Sequence, residues 1–128
     1  MNAIGLLMVF VGAGLGGVCR YALGLVATQP AWLPFAVGTL TVNLLGAFLA
    51  GLLFASLGPD WLRNNPGGLF LMTGFLGGLT TFSAFTAEGA ALLLDKPMLA
   101  LAHALVHVAA CLALFFLAGK LYLVLFPR

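Results

Sequence analysis

The residues able to do chemistry gather in one stretch, "TGFLGGLTTFSAFTAEG", running from Thr73 to Gly89. Inside otherwise apolar sequence it holds the pair Gly77–Gly78, the hydroxyls of Thr80, Thr81 and Ser83, the rings of Phe82 and Phe85, and the carboxyl of Glu88. Two kinds of ion chemistry follow. Gly77 and Gly78 weaken a helix, and Thr80 and Thr81 can satisfy backbone groups locally, so the pattern predicts a helix break. At membrane depth a break survives only where its freed carbonyls are buried in protein or bind something. Unwound carbonyls and half-helix C-terminal ends suit small cations, which makes the break a candidate cation site built of backbone oxygen. Phe82 and Phe85, three apart, share a helix face. A phenyl ring has a negative face and a positive edge. Edges turned into a narrow passage favour a small anion without a fixed cation to trap it, and Ser83 adds a hydroxyl donor. The plain alternative for a phenylalanine pair is core packing.

Other polar residues sit in apolar surroundings. Arg20 and Glu88 are ionisable groups in or at the edge of spans, costly there and therefore functional candidates, although Arg20 can also snorkel to the interface. Asn43, in "GTLTVNLLGA", needs a partner. It either glues helices together or offers its amide N–H groups to a polar ligand. His103 and His107 are an i, i+4 pair, but Ala, Leu and Val stand between them. A zinc peptidase needs H-E-x-x-H, so packing or an interhelical hydrogen bond is the better reading, and no enzyme is expected. Gly12, Gly14 and Gly17 have G-x-G-x-x-G spacing without the strand, helix and acid of a dinucleotide site. They read as small residues for close helix packing, as do Gly46 and Gly51. Cys19 and Cys111 fall in apolar segments, where free cysteine acts as a small hydrophobe.

The elements that must carry these residues are membrane helices. The chain has 128 residues, 63% of them hydrophobic and 6% charged, against about 25% charged in a soluble domain. It cannot cover itself with a water-facing surface. Four spans are expected in one domain over residues 1–128: Ala3 to Val26, Phe35 to Leu57, Leu69 to Leu94 and Met98 to Phe126. "TQPAWLP", "GPDWLRNNPGG" and "DKP" form the turns between them. The first segment lacks the basic start of a signal peptide and is read as a retained span. A net charge of +2 is too small to imply nucleic acid. Short loops make neighbouring spans antiparallel, and loop Lys/Arg sets orientation. Arg63, Lys120 and Arg128 lie on one side, Lys96 and Arg20 on the other. The balance is nearly even, so insertion both ways up and an antiparallel homodimer are expected.

"TGFLGGLTTFSAF" resembles the G-G-L-T-T-F-S-T-F signature of the Fluc (CrcB) fluoride channels. "GLGGVCRY" with Arg20, "GTLTVNLLG" with Asn43 and "LVHVAACL" resemble the family's other spans, in order. The resemblance implies an all-α integral membrane fold with a broken third helix and an antiparallel, dual-topology homodimer. It also implies two fluoride pores and passive fluoride efflux from the cytoplasm of a bacterial-type cell through the inner membrane. It further implies a structural, untransported sodium ion (Na+) held by the backbone carbonyls of Gly77 and Thr80. Phe82, Ser83, Phe85 and Asn43 become pore residues, while Glu88 and Arg20 become vestibule residues. Ala84 departs from the signature threonine, and Ala110–Cys111 stand where some relatives have a small residue followed by serine; both remove hydroxyls. Two rival readings remain. One is a small multidrug-type proton-coupled antiporter, whose essential acid belongs in the first span, where this chain has none. The other is a non-transporting membrane assembly subunit.

Overall fold

The computed structural model of the chain describes residues 3–27 and 37–127. The expected start of the second span at Phe35, and Arg128 of the charge comparison, lie outside the described residues. Four helices are long and apolar enough to cross a membrane. They are α1 (Ala3–Val26), α2 (Val37–Leu57), a composite third span (Pro66–Asp95) and α7 (Pro97–Leu125). The shortest, 21 residues, extends about 31 Å at 1.5 Å per residue, enough for a hydrocarbon core of ~30 Å. Among the described residues every element is helical.

The polar "GPDWLRNNPGG" connects α2 to the third span, with a short helix within it, and its last residues, from Pro66, already belong to that span. Gly58 adopts a positive φ of 78°, and Pro59 opens α3 (Pro59–Asn64), where its missing N–H costs nothing. Asn65 caps α4 (Pro66–Gly68), accepting a hydrogen bond from the Gly67 N–H at 2.9 Å. Between the third span and α7 only Lys96 intervenes, and Pro97 starts the new helix.

The third span is not one regular helix. After α4 comes a π-helical segment, Leu69–Leu76, then α5 (Gly77–Leu79), and after an interruption α6 (Phe82–Asp95). The Gly77 N–H reaches back to the Met72 carbonyl, five residues away, which widens the helix. The interruption falls at Thr80 (φ −83°, ψ 161°) and Thr81 (φ −148°, ψ 121°), both extended. It therefore lies after the glycine pair, not at it: Gly77 itself is helical (φ −62°, ψ −35°).

The glycines have a different task, letting backbones touch. A methyl group at Gly16 would stand 2.1 Å from the Phe75 carbonyl, and one at Gly78 would stand 2.4 Å from the Ala13 carbonyl. So α1 lies directly against the third span. Gly12 takes part, with a methyl there 2.5 Å from the Phe70 carbonyl, whereas Gly14 and Gly17 face open space. The working pair is Gly12 and Gly16, the small-xxx-small spacing of close membrane packing. On the other side Gly51 of α2 meets the Phe115 carbonyl of α7. The fully buried apolar set is small: Val42, Leu62, Leu76, Leu79 and Ala118. Leu76 and Leu79 come just before the interruption, and Val42 is the neighbour in α2 of Asn43.

Candidate ion site at the interrupted third span

Of the two extended residues of the interruption, Thr80 keeps a helical hydrogen bond from its N–H to the Leu76 carbonyl at 3.0 Å, whereas the backbone of Thr81 is partnered from α2. Asn43 Nδ2 donates to the Thr81 carbonyl at 3.1 Å, and the Thr81 N–H donates to Asn43 Oδ1 at 2.8 Å. The N–H needs an acceptor and the carbonyl needs a donor, so this exchange fixes the amide orientation. It leaves one Nδ2 hydrogen of Asn43 uncommitted. The diversion has a second effect. In a continuous helix the Thr81 N–H would close on the Gly77 carbonyl; turned toward Asn43, it releases that oxygen.

Thr80 and Thr81 divide the remaining work. Thr80 Oγ1 donates back to the Leu76 carbonyl at 2.9 Å, closing α5. Thr81 is buried and caps α6, its Oγ1 accepting from the Ala84 N–H at 3.2 Å. The same oxygen lies 3.2 Å from Ser83 Oγ, so Ser83, itself exposed, joins the hydroxyl cluster. Gly46 of α2 admits Thr80: a methyl there would stand 2.1 Å from Thr80 Cγ2.

Phe82 and Phe85 open α6 and meet with ring centroids 5.4 Å apart at 44°. Phe82 is 78% exposed within the single chain, so it is no core residue of that chain. Phe85 backs onto α7, stacked on His103 at 5.0 Å and 20° and tilted against His107 at 4.8 Å. His103 Nε2 lies 3.2 Å from the Phe85 carbonyl, and His107 Nδ1 lies 3.2 Å from the His103 carbonyl. Both imidazoles are buried, at 1% and 3% exposure. One turn further along α6, Glu88 accepts a hydrogen bond from Thr39 of α2, and its other oxygen lies 3.9 Å from His103 Nε2.

Several of these groups line one cavity of about 430 Å³. Asn43, Thr80, Thr81, Phe82, Phe85 and His107 are on its wall, with Gly77 and Cys111. Five of the expected site residues thus share one space: Asn43, Phe82, Phe85, Gly77 and Thr80. Ser83 and Glu88 reach it through Thr81 and the histidine pair. Arg20 does not line it; its half-buried side chain lies on α1, and its Nε finds no hydrogen-bond partner among the described residues.

Several participants escaped the sequence reading. Thr39 sits one turn before Asn43, on the same face, a spacing that would have found it. The histidine pair was read as packing or hydrogen bonding, and it does both, but its contact with Phe85 had no sequence signal. Nor did the π-helical segment.

The arrangement can hold an ion of either sign at neighbouring points: carbonyl oxygen on one side of the interruption, ring edges and hydroxyls on the other. Three similar proteins share the name fluoride-specific ion channel FluC. That of Serratia proteamaculans (strain 568) is 42% identical over 91% of each chain. That of Aromatoleum aromaticum (strain DSM 19018 / LMG 30748 / EbN1) is 48% identical over 87% of this chain and 85% of its own. That of Neisseria meningitidis serogroup B (strain ATCC BAA-335 / MC58) is 42% identical over 87% and 88%. The family described as CrcB-like protein, Camphor Resistance (CrcB), matches residues 7–119, which reach into all four spanning helices and take in the whole interruption, and the chain belongs to that family.

Proposed function

We propose that this protein is a fluoride-selective channel of the bacterial inner membrane, crossing it several times and letting fluoride leave the cytoplasm passively. The observation that carries the reading is the Phe82–Phe85 pair. It stands at the head of α6, beside the Asn43–Thr81 exchange and opening into the shared cavity.

A small anion entering this space must give up hydration, and the wall has to replace it. The uncommitted Asn43 N–H and the Ser83 hydroxyl are donors. The rings of Phe82 and Phe85 offer their positive edges. Among the described residues no lysine or arginine lines the cavity, so none of them holds the anion tightly there, and conduction needs binding weak enough to leave. Among acids, Glu88 is tied to Thr39 and lies beside His103, and α1 contains none.

The working unit is an antiparallel, dual-topology homodimer. Phe82, placed on the fluoride path, is 78% exposed in one chain, so one chain alone does not enclose that path, and the near-even loop charges give neither orientation an advantage. A structural sodium fits the same face. The Gly77 carbonyl is released by the diverted Thr81 N–H, and Thr80 contributes an extended carbonyl. Hard oxygen donors of this kind suit a hard cation. One chain supplies too few of them, and two chains related by a two-fold axis supply twice as many.

Fluoride efflux from liposomes holding the purified protein tests the reading. The expected result is fluoride flux far above chloride flux, without any imposed proton gradient. Flux of neither ion would favour the assembly-subunit reading, and drug flux driven by a proton gradient would favour the antiporter.

A further inference from the structure

We propose that His103 is a positioning residue of the fluoride path, the plate behind Phe85 that leaves its ring edge, and not its face, for the anion. The inference rests on the reading of Phe85 as a lining residue of that path.

Phe85 can present either electrostatic sign, depending on its orientation: the ring edge attracts an anion and the ring face repels it. Orientation is therefore as important to selectivity as the presence of a ring. Two constraints on it come from His103. The imidazole covers one face of the phenyl, with centroids 5.0 Å apart and planes 20° from parallel. Its Nε2 lies 3.2 Å from the carbonyl of the same residue, Phe85. A carbonyl can only accept, so Nε2 carries the proton and donates. One side chain thus holds both the ring and the backbone of Phe85, which fixes each with respect to the other.

His103 is in turn held on both sides. His107 Nδ1 donates to the His103 carbonyl at 3.2 Å, and the two imidazoles are 4.4 Å apart. The Glu88 carboxylate lies 3.9 Å from His103 Nε2 and is anchored through Thr39. With 1% of its surface exposed, His103 has no room to swing away. Phe82, by contrast, has only Phe85 as a ring neighbour among the described residues. The two rings of the pair are thus differently held. Phe85 is fixed from behind by α7, whereas among the described residues no second ring backs Phe82 within the chain.

The test compares two substitutions in liposomes, reading fluoride flux per folded protein and the fluoride-to-chloride ratio. His103→Gln keeps an N–H donor at nearly the Nε2 position and a flat amide to lie on the ring; His103→Leu keeps volume and removes both. The expected result is a leucine variant that elutes as the intact protein yet loses at least about tenfold in fluoride flux, together with selectivity. The glutamine variant should remain within about threefold of the parent. If leucine prevents folding, His103→Met fills the space flexibly and takes its place in the same comparison. Equal flux and selectivity in the leucine (or methionine) variant and the parent would overturn the proposal, and so would a glutamine variant as impaired as leucine. Absence of fluoride flux from the parent protein overturns the channel reading and this inference with it. Parent flux with indifferent His103 variants overturns the inference alone.

Discussion

Asn43 and Thr81 exchange two hydrogen bonds between α2 and the extended backbone of the third span, at 3.1 and 2.8 Å. One amide side chain thereby does what a neighbouring strand does in a sheet. This is how an extended residue persists among helices that contain no water.

Removing that amide should separate fold from flux. Asn43→Ala strands the buried Thr81 N–H and carbonyl, at about 1–3 kcal/mol for each unsatisfied group. The variant should melt several degrees lower in detergent and carry little fluoride. Asn43→Asp keeps the acceptor for the Thr81 N–H, but removes the donor and adds negative charge beside an anion path. It should lose less stability than alanine and at least as much flux. A thermal melt on each, paired with liposome efflux, checks the ordering; full flux in the aspartate variant would contradict it.

The two phenylalanines should respond differently in stability and alike in flux. Phe82 is largely exposed within the chain, so Phe82→Ile should leave the melting temperature almost unchanged. Phe85 has three ring neighbours, and aromatic pairs contribute roughly 0.5–1.5 kcal/mol beyond area. Phe85→Ile should therefore melt measurably lower. Both isoleucine variants should lose most fluoride flux, because volume survives and the ring edge does not. Near-parental flux in both would return the pair to ordinary packing.

Much of this was legible because membrane sequence carries strong signals. Long apolar runs bounded by "GPDWLRNNPGG" and "DKP" mark the spans, though not their edges, since the third begins at Pro66 inside the expected turn, and a glycine pair followed by two threonines marks an irregular third helix. The position of the irregularity was less legible. Gly77 and Gly78 remain helical because Gly78 is pressed against Ala13 of α1, and the chain opens at Thr80 and Thr81, where α2 offers Asn43. The choice between those sites is made by tertiary packing, which local propensity does not contain. Phe82 and Phe85 were legible as a pair, but the imidazoles behind Phe85 come from α7, eighteen residues and more along the chain. No periodicity connects them.

Glu88 is expected to be a structural and electrostatic group, not a proton carrier. Its carboxylate accepts from Thr39, and Glu88→Gln retains an acceptor for that hydroxyl. Neither the parent nor the glutamine variant should move a drug-like cation in response to a pH gradient across the liposome. Gradient-driven cation flux in the parent, lost on substitution, would establish the antiporter instead.

The last prediction uses Gly77 to ask what lies outside the chain. A methyl group there would find only the Met72 carbonyl, at 3.9 Å, an ordinary contact. Gly77 is also helical, so alanine fits its backbone and should slightly stabilise an isolated helix. Within one subunit, Gly77→Ala has no reason to cause harm. If two antiparallel copies meet at this face around a sodium ion, the methyl group crowds the ion or the partner, and harm follows. The expected outcome is a variant whose single-chain helix content is unchanged while its dimer weakens and its fluoride flux falls. Replacing all sodium with a large organic cation should weaken the parent in the same way, with no sodium carried across. An alanine variant that dimerises and conducts like the parent, in a protein indifferent to prolonged sodium removal, would leave the Gly77 and Thr80 carbonyls without an ion to hold.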